Sequence, residues 1–204
     1  VTADESPTRG SEPQLGVDRP LPGEVTAPQG ETAVLVAVQS ALAGRPGVLS
    51  TARGLSHFGE HSIGWVAAAL IGAAINRRDK PRRRSWLAAG AGAFGAHAAS
   101  VIIKRLVRRR RPSHEAVRVN VGTPSRLSFP SSHATSTAAA AVLFAPLTGL
   151  PLPALLIPPM ALSRLVLGVH YPTDVAAGAA LGALIGAAVR RADTRLAVLK
   201  EEQR

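Results

Sequence analysis

"SFPSSHATSTAAAAVLFAPL", residues 128–147, starts as a hydroxyl-rich stretch around one histidine and becomes an apolar run at Ala138. Serine and threonine often cap helix starts, which accounts for part of the polar half. The apolar half belongs to a longer pattern. Residues 61–76, 85–103, 134–163 and 175–189 contain no Asp, Glu, Lys or Arg, and basic residues crowd the gaps in blocks such as "RRDKPRRR" (77–84) and "KRLVRRRR" (104–111). Cations grouped at segment ends are the mark of a membrane protein, whereas a helical nucleic-acid binder spreads them along helix faces. Membrane lipids are therefore expected partners, and nucleic acid is not.

Composition points the same way. Apolar residues make up 46% of the chain but aromatic ones only 3%, so Ala, Leu, Val and Gly dominate, the palette that lets helices approach closely in a bilayer. Cysteine is absent, which rules out a disulfide framework and a thiolate metal site. The net charge of +11 fits anionic lipid or a phosphorylated substrate.

The pattern predicts an all-α fold, a polytopic membrane helical bundle. About five transmembrane helices are expected, near 60–76, 85–104, 133–149, 152–169 and 173–189. Each lies near the lower end of the roughly 17 to 25 residues that cross a hydrocarbon core. Short amphipathic interfacial helices should precede them, the first within "ETAVLVAVQSALAG" with Glu31, Gln39 and Ser40 off its apolar stripe. Pro153, Pro158 and Pro159 are expected to kink the fourth span. "GAGAFGAHAA" (90–99) and "AAGAALGALIGAA" (176–188) repeat small residues every four positions, as tight helix packing requires. Residues 1–30, with five prolines, four glycines and five acidic residues, read as a disordered tail; 31–190 form the domain, and 191–204 a basic, polar tail.

Five spans place the loops 105–132 and 170–173 on the same side of the membrane, and three polar clusters fall there. The first runs from Lys104 to Arg111, the second is "PSSH" (130–133), and the third is "SRLVLGVHYPTD" (163–174). Arg164 lies inside a span, where an unpaired charge costs at least ~2.5 kcal/mol, so it should face an internal polar site. Lys104, Arg111 and Arg164 can surround a phosphate, and Ser131 and the first amides of the third span, including that of Ser132, can add neutral donors at a helix start. Two histidines, His133 and His170, supply the groups for phosphoryl transfer. One imidazole can attack phosphorus and another can protonate the leaving oxygen, if a carboxylate fixes the tautomer of the first. Asp174, four residues after His170, is placed for that task. Between 61 and 190 the only other acidic residues are Asp79 and Glu115, too few for a two-metal site, so metal-independent chemistry without a cofactor is expected.

"KRLVRRRRP", "PSSH" and "SRLVLGVHYPTD" together resemble the type 2 phosphatidic acid phosphatase (PAP2) superfamily, with its pattern KxxxxxxRP, PSGH and SRxxxxxHxxxD. The match departs once, with Ser132 in place of Gly, and covers roughly residues 31–190. It implies a membrane enzyme in which His170 is the nucleophile, His133 the general acid and Asp174 the group orienting His170, with Lys104, Arg111, Ser131, Ser132 and Arg164 around the phosphate. Within the superfamily, "SALAGRPGVLS", "GLSHFGEHSIGW" and "VNVGTPSRLSFPS" resemble the actinobacterial decaprenylphosphoryl-5-phosphoribose phosphatases. That resemblance implies a polyprenyl-linked phosphate as substrate and a multi-pass protein of the plasma membrane. Polyprenyl diphosphate or phosphatidylglycerophosphate hydrolysis would use the same motifs. A non-catalytic lipid-phosphate binder would need neither histidine.

Outside the motifs, His57, Glu60 and His61 form either a polar cap at the first span or, through His61, a headgroup contact. His97 is expected to be a buried, hydrogen-bonded histidine. Arg109 is expected to face lipid headgroups and to supply little beyond charge. Trp65 and Trp86 are expected as packing or interface anchors.

Overall fold

A computed structural model describes residues 26–202. Most of the tail expected over 1–30 lies outside those residues. The described chain forms seven α-helices: α1 Gly30–Leu42, α2 Val48–Gly59, α3 Ile63–Ile75, α4 Lys80–Val107, α5 Ser132–Thr148, α6 Leu152–Val166 and α7 Pro172–Glu202. Among the described residues the only β pairing is a single bridge between Arg110 and Leu127.

Helix ends follow the local sequence. The Asp79 carboxylate accepts from Arg82 N at 2.9 Å and Pro81 occupies the first turn of α4, so that start is both capped and pre-set for helical φ. Gly149, at φ 74°, stops α5 in the left-handed conformation. Pro158 and Pro159 lie inside α6, which nevertheless remains one element.

The five expected membrane segments correspond to α3–α7, preceded by the two expected short helices. Three helical stretches are long and apolar enough to cross a bilayer: Val48–Ile75, Lys80–Val107 and Pro172–Leu199. At 17 and 15 residues, α5 and α6 are shorter. The run Ala134–Ala141 of α5 is buried, with α7, α4 and α6 packed around it, so bundle neighbours replace lipid as its surroundings.

Glycine makes that burial possible. A Cβ at Gly182 of α7 would lie 2.0 Å from the Thr135 carbonyl oxygen of α5, and one at Gly178 would lie 2.7 Å from the Ser131 oxygen. The two backbones touch through small residues, as the four-residue repeat requires. Trp65 and Trp86 are buried with Phe144 in the apolar core cluster at the other end, so both are packing residues.

α7 runs on through the basic segment beyond 190 to Glu202, and Asp193 accepts from Arg84 Nη2 and from Ser85 Oγ, each at 2.7 Å. One expectation needs correction. Gln39 is buried rather than off the packed face, because a polar amide was the right partner for a loop described below.

Gly182→Val should push α5 and α7 apart, at a cost of about 1–3 kcal/mol or more because the obstacle is backbone. A lowered Tm in detergent checks this. Gly95→Val, where nothing lies within 4 Å, should leave Tm nearly unchanged.

Candidate active site

The C-terminal ends of α2, α4 and α6, the N-terminal end of α5, the 108–131 loop and the turn before α7 meet at one end of the bundle around a cavity of about 550 Å³. Lys104, Arg111, Ser132, His133, Arg164 and His170 all line it.

Each cation is held differently. Lys104 is buried and its ammonium donates to three carbonyls, those of Leu127 (3.3 Å), Ser128 (3.3 Å) and Pro130 (3.0 Å). An ammonium has three N–H groups, so all three already serve the loop. Arg111 is half-buried and donates to the carbonyls of Ser125 (2.8 Å) and Val169 (2.6 Å). Burial lowers its pKa to about 10, with Asp174 acting in the opposite direction. Arg164 is 1% exposed. It donates from Nη2 to Ser56 Oγ at 3.2 Å, while its Nε and Nη1 are buried without a partner. A buried guanidinium with two idle nitrogens is a site for a bidentate anion.

His170 sits at the turn between α6 and α7, 2% exposed. Its Nε2 lies 3.2 Å from Arg111 Nη1. A guanidinium only donates, so Nε2 is the acceptor and the ring proton resides on Nδ1. That Nδ1 faces Asp174 Oδ2 at 3.6 Å, slightly beyond hydrogen-bond reach. The arrangement leaves the Nε2 lone pair pointing among the cations. Burial pushes the His170 pKa well below its ordinary value, and Arg111, Lys104 and Arg164 push it the same way, so the imidazole is neutral at physiological pH.

His133, in the first turn of α5, donates from Nε2 to the Ser56 carbonyl at 2.9 Å, leaving Nδ1 for a second proton. Gly59 makes room for this ring, since a Cβ there would lie 2.8 Å from His133 Cδ2. Ser131 differs from its expected placement. Its hydroxyl is fully buried, accepts from Ala134 N as the α5 cap at 3.5 Å, and is not part of the cavity wall, whereas Ser132 is.

The cavity is also lined by His57, Glu60, His61 and His97 together with the 121–125 stretch of the loop. His61 and Ser62 adopt φ 49° and 64° between α2 and α3, a conformation that costs non-glycine residues energy and recurs where function requires it. His97 departs from expectation: its Nδ1 is buried with no hydrogen-bond partner, and its ring centre lies 5.9 Å from that of His61. Gln39 of α1 was not legible as a site residue. It donates to the carbonyls of Arg118 (2.6 Å) and Val166 (3.1 Å) and accepts from Arg118 N (3.1 Å), fastening the loop to α6. Arg109 also departs from its expected place against lipid, as its carboxylate partners show below.

Comparison with known proteins places the chain among similar sequences and folds. The PAP2 superfamily profile covers residues 85–196. The chain is 69% identical over 163 residues to decaprenylphosphoryl-5-phosphoribose phosphatase of Mycobacterium tuberculosis (strain ATCC 25618 / H37Rv), covering 80% of this chain and 90% of that one. It is 74% identical over 152 residues to the protein of the same name from Mycolicibacterium smegmatis, covering 74% and 83%. The fold is similar to that of the transmembrane PAP2-type phosphatidylglycerolphosphate phosphatase from Bacillus subtilis, with TM-score 0.63 and 23% identity over 80% of this chain and 86% of that one. It is also similar to Aquifex aeolicus LpxE, with TM-score 0.57 and 23% identity over 78% and 93%. A motif set gathered around one cavity, a profile over more than half the sequence and relatives matched along most of their length lead to one assignment: the chain is a membrane protein of the PAP2 superfamily.

Proposed function

We propose that this chain is a phosphatase of the plasma membrane that hydrolyses decaprenylphosphoryl-5-phosphoribose to decaprenylphosphoryl ribose and phosphate, a step in making arabinan precursors for the cell wall. One observation carries the choice of substrate. Two stretches, "GLSHFGEHSIGW" and "VNVGTPSRLSFPS", the second outside the shared motifs except for its last two residues, carry the resemblance to phosphatases of that name, and both contribute residues to the cavity wall. The phosphate motifs read only the phosphate; this wall is where a leaving sugar would lie, with His61 as a headgroup contact.

In the reaction, the His170 Nε2 lone pair attacks phosphorus as the bond from phosphorus to the ribose 5-oxygen breaks. His133 gives its Nδ1 proton to that oxygen, releasing the sugar hydroxyl. Asp174 opposes the charge that grows on His170 as it becomes a phosphohistidine. Water then attacks the phosphohistidine, His133 takes its proton, and the phosphorus–nitrogen bond breaks. Arg164 and Arg111 hold the phosphoryl oxygens, and Ser132 adds a donor at the helix start. Ser131 supports this cradle as the helix cap. Lys104 contributes its charge and the loop it fastens.

Phosphate release by purified protein across decaprenylphosphoryl-5-phosphoribose, polyprenyl diphosphate and phosphatidylglycerophosphate tests the assignment. The first should have the highest kcat/KM; faster turnover of either of the others would overturn it. His170→Ala should abolish both turnover and the trapped phosphoenzyme, and His133→Ala should slow poor leaving groups more than good ones. Arg164→Lys should lower kcat/KM nearly as far as Arg164→Ala, about 100-fold or more, because a lysine lacks the planar fork. Activity should persist in EDTA.

A further inference from the structure

Arg109 lies beside the cavity, outside its wall, and its guanidinium joins two carboxylates. Nη1 donates to Asp174 Oδ1 at 3.0 Å and to Thr173 Oγ1 at 2.6 Å, and Nη2 donates to Glu31 Oε2. The guanidinium carbon stands 4.3 Å above the Tyr171 ring. Glu31, in the first turn of α1, also accepts from Thr173 N (2.9 Å) and Thr173 Oγ1 (2.6 Å) through Oε1. Asp174 itself is fully buried, and its Oδ2 accepts from Tyr171 N at 2.8 Å while facing His170 Nδ1.

We propose that Glu31 and Arg109 form an electrostatic clamp on Asp174, in which Arg109 fixes the carboxylate and Glu31 offsets the excess positive charge, making both positioning residues for His170. This rests on the reading of His170 as nucleophile.

The need for two residues follows from charge. A buried carboxylate with one unsatisfied oxygen either turns toward another donor or takes up a proton, so Asp174 needs a partner at Oδ1. An arginine alone at that oxygen would draw the carboxylate's field away from His170, weakening its support for the imidazolium-like charge of the intermediate. Glu31 draws part of that cation back. The groups facing His170 are otherwise cationic or titratable: Arg111 from the loop, Lys104 from α4, Arg164 from α6 and His133 from α5. Asp174 is thus the single anion among them, and the clamp sets how strongly it acts. A lysine at 109 could meet one carboxylate squarely but not both, which reverses the expectation that this residue supplies little beyond charge.

The test is the pH dependence of kcat/KM for Arg109→Gln and Glu31→Gln, together with 15N NMR of His170 in histidine-labelled protein, which needs no turnover. Glutamine at 109 keeps an N–H donor for Asp174 Oδ1 while removing the cation, so the His170 pKa should rise and the acid limb, below which the nucleophile is protonated, moves to higher pH. Removing the Glu31 charge should lower that pKa and move the limb to lower pH. Shifts of about half a unit or more are expected from charges one residue removed. In Arg109→Gln, kcat should fall about 10- to 100-fold with KM changed less than about threefold. Glu31→Gln keeps the shape of a half-exposed side chain and stands as the variant that folds if Arg109→Gln does not. Shifts in the same direction, or none in either variant, would overturn the clamp. If wild type turned over no phosphomonoester while the NMR shifts moved in opposite directions, the clamp would stand and the nucleophile assignment would fall.

Discussion

Unneutralised positive charge at one end of the bundle organises the structure. Lys104 and Arg164 are buried and Arg111 half-buried around one cavity, with Asp174 as the nearby carboxylate. Burying a cation without a partner is costly, so much of the surrounding backbone is committed to supplying carbonyl oxygens. Those of Leu127, Ser128 and Pro130 enclose Lys104, and those of Ser125 and Val169 hold Arg111. The 108–131 loop is ordered largely by what it gives to these side chains. The two nitrogens of Arg164 that no protein group meets select for a bidentate anion more sharply than any single motif does.

The apolar half of the molecule serves the same end by precision of approach. Contact of α5 with α7 through Gly178 and Gly182 brings the start of one helix against the start of the other, so that Ser131 N donates to the Asp174 carbonyl at 2.9 Å. His133 and Asp174 thereby come from two rigid helices whose separation is set by bare backbone. A methyl group at this seam would move both members of the site at once.

Much of this was legible in the sequence because charge in an apolar span is expensive and therefore informative. The uncharged runs located α3–α7, and Arg164, His133, His170 and Asp174 were identifiable from placement and motif. What escaped notice depends on long-range pairing. Arg109 looked like three neighbours in an arginine run, and nothing local ties it to Glu31, 78 positions away. Gln39 was polar on an apolar helix and read as outward, because its partners are backbone groups of the loop and of α6, far away in sequence. Ser131 and Ser132 are adjacent and alike, and only the backbone direction decides which hydroxyl caps the helix. The helix beyond 190 was hidden by its basic composition, which Asp193 balances by pairing with Arg84.

The bonds that complete this site close very long loops. Thr173 to Glu31 spans 142 residues, Gln39 to Val166 spans 127 and Arg164 to Ser56 spans 108. Contacts of that separation form late, after the local helices, because their closure entropy comes due before they give anything back. During synthesis, the chain through α6 holds every cation of the cavity and not yet Asp174. Insertion of α7 therefore completes the bundle and brings in the site's carboxylate in a single event, and an amino-terminal fragment that ended before it would carry the cationic cavity without that anion.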